Sequence, residues 1–244
     1  DLAGGNAVLA DSLNRVVTAY SYISNAPGPT YNQYAVARYL SSGALDASFG
    51  VGGIVDLPIP NKDLVCVPEM VEDNSNNLLV ASCTFDTIYV WRLKPSGALD
   101  TSYAGTGMAS IAVGNGVYPV IGLTQYKNRA LIATSSIGGG VTRPRFTLVR
   151  LNSAGALDTT LAGTGIVRMN ILAASANEIS RAVDVKLDSA LRIVLGGRVR
   201  TSTVDYHFAM ARLSWAGALD ATFGTGGVTS FPLLSGPNFE IGRA

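Results

Sequence analysis

The tetrapeptide Gly-Ala-Leu-Asp occurs four times, at 43–46, 97–100, 155–158 and 217–220. Its Asp residues are 54, 58 and 62 positions apart, and a period of that size between strand-like segments marks stacked supersecondary units of the propeller or solenoid kind. In a chain of 244 residues the repeat runs from end to end, so it predicts one repeat domain over 1–244 rather than two unrelated ones.

Upstream of each copy lies a short segment with two apolar faces: Tyr34–Tyr39, Ile88–Leu93, Phe146–Leu151 and Phe208–Leu213. Val36, Val90, Leu148 and Met210 fall on one face, and Ala37, Trp91, Val149 and Ala211 on the other. A strand that is apolar on both sides belongs in a sheet held between two neighbours, which a propeller blade provides. A second strand precedes it (Arg15–Ala19, Leu78–Ser82, Arg129–Ala133, Arg192–Gly196), entered through polar turns such as Asp11–Asn14 and Asp73–Asn77. Those turns point back to a first strand, and Gly53–Leu57 and its counterparts supply a fourth. The fold class expected is all-β, a β-propeller of four four-stranded antiparallel blades, near 5–59, 64–114, 117–172 and 178–233.

The loop after the third strand reads Leu-Asp-x-Ser/Thr-aromatic-Gly-x-Gly-Gly in its fullest forms, Leu45–Gly53 and Leu219–Gly227. Asp can cap such a turn and glycine supplies positive φ. The middle copies carry Tyr103-Ala104 and Leu161-Ala162 instead, and less uniform packing is expected of them. The third strand with its Arg-Leu, followed by this loop, resembles the delta-60 repeat of bacterial, often exported, β-propeller-like proteins, over essentially the whole chain. The resemblance implies a propeller-type fold and says little about activity, because such repeats host varied functions.

Asn238–Ala244 resembles the entry to the fourth repeat at Asn177–Ala182, as though a further repeat began there. Two arrangements remain open. Either four blades close on themselves with 238–244 packed against blade one, or additional repeats or a second copy of the chain complete the ring.

Composition narrows the partners. Formal charge is +1 with 14 Arg against 4 Lys and no basic run, which gives no footprint for nucleic acid. No apolar run is long enough for a transmembrane helix, so membrane insertion is not expected. Two cysteines in a Lys-poor chain that opens on Asp1 rather than Met fit a processed protein of an extracellular, periplasmic or cell-surface location. If the hairpin of blade two turns about Asn74-Ser75, Val71 faces Leu78, Met70 faces Leu79, and the register sets Cys66 opposite Cys83 for a disulfide.

Arg38, Arg92, Arg150 and Arg212 each precede Asp46, Asp100, Asp158 and Asp220 by eight residues, which suggests a partly buried structural pair in each repeat. One carboxylate per loop is too few for calcium, and His207 is the only histidine, so neither a metal nor a cofactor is expected. Residues that break the repeat are better binding candidates. Asn6, Glu69, Asp184 and Arg181 fall on first strands, which line a propeller's axis, and Tyr31, Tyr34, Arg143 and Arg145 lie on or beside the longer linkers. These residues point to a binding or scaffold module contacting a protein or a glycan. The alternative is a hydrolase or lyase at the channel mouth with Glu69 and Asp184 as acid and base.

Overall fold

A computed structural model describes residues 4–23, 32–59, 66–114, 121–138, 142–172, 178–200 and 206–232. Sixteen strands form four antiparallel four-stranded sheets. Blade one is β1 (Gly4–Ala10), β2 (Val16–Ile23), β3 (Asn32–Tyr39) and β4 (Ile54–Asp56), in that order across the sheet. Blade two is β5 (Glu69–Glu72), β6 (Leu78–Cys83), β7 (Thr87–Leu93) and β8 (Met108–Ala112). Blade three is β9 (Gly122–Tyr126), β10 (Arg129–Ser136), β11 (Arg145–Leu151) and β12 (Ile166–Met169). Blade four is β13 (Ile179–Leu187), β14 (Ile193–Arg200), β15 (Tyr206–Leu213) and β16 (Val228–Pro232). This is the β-propeller class with four blades, as the repeat predicts. No helix long and apolar enough to cross a membrane occurs among the described residues.

The hairpins form where the sequence supplies acceptors for their turns. Asp11 Oδ1 accepts from the amides of Leu13 (3.0 Å) and Arg15 (2.9 Å), and Asp73 and Asp188 make the same pair of bonds two and four residues on. Asn14, Asn76 and Leu191 complete these turns at positive φ. Blade three turns more tightly, through Lys127 and Asn128 at φ of 50° and 59°, the backbone of a two-residue hairpin.

The chain divides into two compact units. One joins Asp1–Ala112 with Gln125–Ala130 and Asn152–Ala156; the other comprises Val113–Thr124, Leu131–Leu151 and Leu157–Ala244. In the first, Val17, Ala19, Tyr34, Val36, Phe49 and Leu57 pack against Met70, Leu78, Val80, Tyr89, Trp91 and Leu93. Two side chains pin that contact to backbone: Trp91 Nε1 donates to the Pro58 carbonyl at 2.9 Å, and Tyr34 Oη to that of Cys66 at 2.7 Å. In the second, Leu131, Ala133, Phe146 and Leu148 meet Ala182, Val185, Leu195, Ala209, Ala211 and Leu213.

The expectation of third strands buried on both faces holds for β11, whose seven residues are all buried, and nearly so for β7. It fails for blade four. There β14 alternates between buried and half-buried residues, and Phe208, Met210 and Arg212 on β15 are only half covered. The sequence pattern is the same, but burial of the second face depends on a neighbour, and here that face stays half covered.

Cys66 and Cys83 form the expected disulfide, with Cα atoms 5.0 Å apart. The register leading to it is one residue from the one expected: Val71 pairs with Leu79 and Met70 with Val80. The pairing ends at Glu69, Pro68 has no N–H to extend the ladder, and Cys66 regains Cys83 through its own amide, donating to the Cys83 carbonyl at 3.3 Å. The Cys66 carbonyl takes both Tyr34 Oη and Ser82 Oγ, so the bridge sits where blades one and two meet. Closing a loop of 17 residues stabilises by about 3 kcal/mol through restriction of the unfolded chain. Reduction, or Cys66→Ser with Cys83→Ser, is expected to lower unfolding free energy by that amount in urea titrations, without changing the far-UV spectrum of the native state.

Candidate functional site

Each Gly-Ala-Leu-Asp loop is built round its arginine. Arg38 Nε donates to Asp46 Oδ2 at 2.8 Å, Arg92 to Asp100 at 2.7 Å, Arg150 to Asp158 at 2.9 Å and Arg212 to Asp220 at 2.8 Å. The other carboxylate oxygen caps the turn, taking the amide and hydroxyl of Ser48, Ser102, Thr160 or Thr222. The guanidinium stacks on the loop's aromatic ring where there is one, 4.4 Å from Phe49, 5.0 Å from Tyr103 and 4.7 Å from Phe223. Nη2 donates to the Ser or Thr hydroxyl of the same loop, while Nη1 of Arg38, Arg92 and Arg150 leaves the repeat and donates to the carbonyls of Pro95, Ser153 and Trp215 in the next loop. The expected structural pair is thus intramolecular to each loop and, in three of the four, also ties that loop to the next.

These joints need glycine at one point. A Cβ at Gly97, already at φ +86°, would lie 2.7 Å from the Gly50 nitrogen, and one at Gly155 would lie 3.0 Å from the Tyr103 ring. The middle loops do not pack less uniformly, contrary to expectation. Tyr103 and Leu161 are as buried as Phe49, and Ala104 and Ala162 take the positive φ that Gly50 and Gly224 occupy elsewhere. The bonding across each joint holds the alanines in a region that costs them about 1 kcal/mol.

The candidate binding residues fall on different elements. Glu69 opens β5 in the first unit, half-buried. Asp184 stands on β13 in the second, just past a register irregularity between Ala182 and Asp184, half-buried and paired with Lys186 Nζ at 3.2 Å. Asn6 sits at the matching irregularity of β1, between Gly5 and Ala7; its side chain, like Tyr31 and 238–244, lies outside the described residues. Arg145 is buried and donates to the Glu178 carbonyl, a packing role at the start of β11, while Arg143 just ahead of it is half-buried. His207 pairs with Val199 and Pro232 inside blade four.

Arg181 alone joins a cluster, and its companions are ones the sequence reading missed. Register sets Arg181 opposite Arg198, and Arg198 opposite Phe208; Ile179 opposes Arg200, and Arg200 opposes Tyr206. Ile179, Arg181, Arg198, Val199, Arg200 and Tyr206 line a cleft of about 170 Å³. The guanidinium carbons of Arg198 and Arg200 lie 5.8 and 5.6 Å from the Tyr206 ring centre, and Arg200 Nη1 donates to Tyr206 Oη at 3.3 Å. Beyond the cleft the same face continues into Gly196, Met210 and exposed Phe231. Three guanidinium groups, each with five fixed donors and a permanent charge, beside aromatic and thioether surface can take up a carboxylate and bury apolar contacts next to it. The signal existed in the repeat: counting from the residue that pairs with the loop arginine, Arg198 stands where the other second strands have Ser21, Cys83 and Ser135.

A family described as "Domain of unknown function (DUF5122) beta-propeller" matches residues 133–161, from β10 through the third Gly-Ala-Leu-Asp loop. No curated protein matches the chain. Among solved structures it is similar to a protein of unknown function from Dyadobacter fermentans, with TM-score 0.51 and 11% identity; the likeness covers 96% of this chain, which spans 65% of that one. Weaker likenesses are to a mannose phosphorylase from Leishmania mexicana (TM-score 0.46, 12% identity, 88% of this chain and 70% of that) and an endo-arabinase from Bacteroides thetaiotaomicron (0.38, 13%, 97% and 75%). At these identities the likeness is one of fold.

Two outcomes test the loop chemistry. Arg150 is fully buried, so Arg150→Ala strands Asp158 without its partner and is expected to cost about 3–5 kcal/mol in urea unfolding, with no rescue by Arg150→Lys, which cannot reproduce the fork. Hydrogen bonds from the Thr222 hydroxyl and amide, and then Arg212, hold the Asp220 carboxyl down to about 2; the Ser48 hydroxyl chiefly does the same in direction for Asp46. A carboxyl held low in the native state contributes stability above its unfolded value, near 4, and loses it as pH falls toward 2. Melting temperature should therefore drop across that acid window, and Thr222→Ala should move the drop to higher pH.

Proposed function

We propose that this chain is a non-catalytic protein-binding scaffold of an exported β-propeller, and that the half-covered face of blade four is its recognition surface. The observation that carries the reading is the composition of that face. Arg181, Arg198, Arg200, Tyr206, Phe208, Met210 and Phe231 share it, and arginine, aromatic residues and methionine are the types enriched in the cores of protein interfaces. The cleft within it, about 170 Å³ counting the solvent at its open mouth, encloses too little space to engulf a small molecule, which favours a broad partner with one inserted acidic group. Arg198 in place of the small residues of the other blades supports the same reading, since the scaffold does not require it.

The Cys66–Cys83 bridge supports an oxidising compartment. Kinship with the exported, bacterial delta-60 repeat proteins belongs to the same proposal and rests on the loop sequences. A hydrolase or lyase centred on Glu69 and Asp184 gains nothing from the surroundings of Asp184, whose carboxylate is occupied by Lys186.

Photocrosslinking tests the surface. A benzophenone amino acid at Phe231 is expected to give discrete protein adducts on intact producing cells, lost in the Arg198→Glu, Arg200→Glu variant, while the same probe at exposed Phe85 of blade two does not. Adducts to glycan alone, or equal labelling from both sites, would overturn the proposal.

A further inference from the structure

We infer that blade three holds a carboxylate-binding site, formed by Arg145 and Arg168 at the end of the sheet away from its Gly-Ala-Leu-Asp loop. The inference is separate from the blade-four face, and every residue it uses belongs to the second unit.

Strand alternation puts Arg145 and Thr147 on one face of β11, and Thr147 pairs with Arg168 on β12. Both arginines depart from the repeat. Counting back from the loop arginine, Arg145 stands where the other third strands have Gln33, Thr87 and His207. Arg168 faces Thr147 where Asp56, Ser110 and Ser230 face Ala35, Tyr89 and Ala209. The scaffold therefore requires neither.

Their donors are incompletely used. Arg145 is 7% exposed, and among the described residues its side chain bonds only through Nη1, to the Glu178 carbonyl; the buried Nε has no acceptor. Nε and Nη2 form the guanidinium edge that can meet both oxygens of a carboxylate. Arg168 is half-buried and donates through Nη2 to the Val113 carbonyl at 2.7 Å and through Nε to Ser136 Oγ at 3.3 Å, which leaves Nη1 unused among the described residues. Between the two arginines, the buried hydroxyls of Ser136 and Thr147 lie 2.9 Å apart, and that of Thr147 donates to the Arg145 carbonyl at 3.1 Å. A Cβ at Gly138 would lie 2.9 Å from Arg168 Nη2, so glycine there makes room for the guanidinium.

Neither arginine has an ion-pair partner among the described residues. The side chain of Glu178 is already committed, its two oxygens accepting from the amides of Ile171 and Leu172 at 2.9 and 2.8 Å. Burial lowers the Arg168 pKa, as it does for a cation held out of water without a counter-charge. A buried cation is costly until it is paired, and a planar, singly charged carboxylate matches the open edge of Arg145. A tetrahedral dianion would need more donors than that edge supplies.

Titration of the isotope-labelled chain, read on the arginine Nε–H resonances, tests the site. Acetate is the probe for a free carboxylate and an end-blocked glutamate peptide for one carried on a protein, each compared with chloride at equal ionic strength. The Arg145 Nε–H signal, identified by its absence from Arg145→Lys, is expected to move saturably with at least one of the two carboxylates and not with chloride. Arg168→Gln should weaken that binding about tenfold or more, as loss of one charge-assisted bond does. The tighter of the two probes identifies the source of the carboxylate. If Arg145→Lys does not fold, the melting temperature of the unmodified chain makes the same comparison, rising with the carboxylate, not with chloride, and less in Arg168→Gln. No response to either carboxylate, an equal response to chloride, or undiminished binding in Arg168→Gln overturns the inference.

Discussion

The structure depends on one guanidinium per repeat. An arginine on the third strand neutralises the aspartate that caps its own loop, and in three of the four repeats its outer nitrogen also bonds a carbonyl of the following loop. Lysine could supply the charge but not the geometry, because the same group must meet a carboxylate, a hydroxyl and a backbone oxygen in one plane while its face lies on an aromatic ring. Burying such a group is costly in isolation. The cost is offset because almost every donor has a partner, and because the aspartate it holds is needed to fold the turn.

Around that group the loop tolerates change where the constraint is weak and not where it is strong. The aromatic seat accepts Phe, Tyr or Leu. The donor position accepts alanine in place of glycine at a cost in backbone energy. The receiving glycine is invariant across the four copies, since the neighbouring loop occupies the space a Cβ would need at Gly97, Gly155 and Gly217. Period alone could not distinguish these three cases; the contacts do.

Much of the fold was legible in the sequence because each element is written four times. Comparing copies cancels local accident, so strand order, the Arg–Asp pairing and the loop chemistry all follow from alignment. The disulfide was legible too, although the register leading to it was not: Pro68 ends the ladder, and the chain returns to Cys83 by a route that hairpin counting does not include. The packing of Tyr103 and Leu161 was misread because substituted side chains suggested altered loops, whereas backbone bonds across the joint impose one shape on all. The basic cluster was missed for a different reason. Arg181 was visible as a departure from the repeat on a first strand, but Arg198, Arg200 and Tyr206 belong to second and third strands, and only cross-strand register brings the four together.

The joints between loops are strictly nearest-neighbour, which gives the fold a graded rather than uniform cooperativity. A loop bonded on both sides, such as those around Asp100 and Asp158, opens only when two contacts break together, whereas those around Asp46 and Asp220 each show one such joint among the described residues. Amide protons in a loop bonded on both sides are therefore expected to exchange with solvent more slowly than those of a sequence twin bonded on one side only.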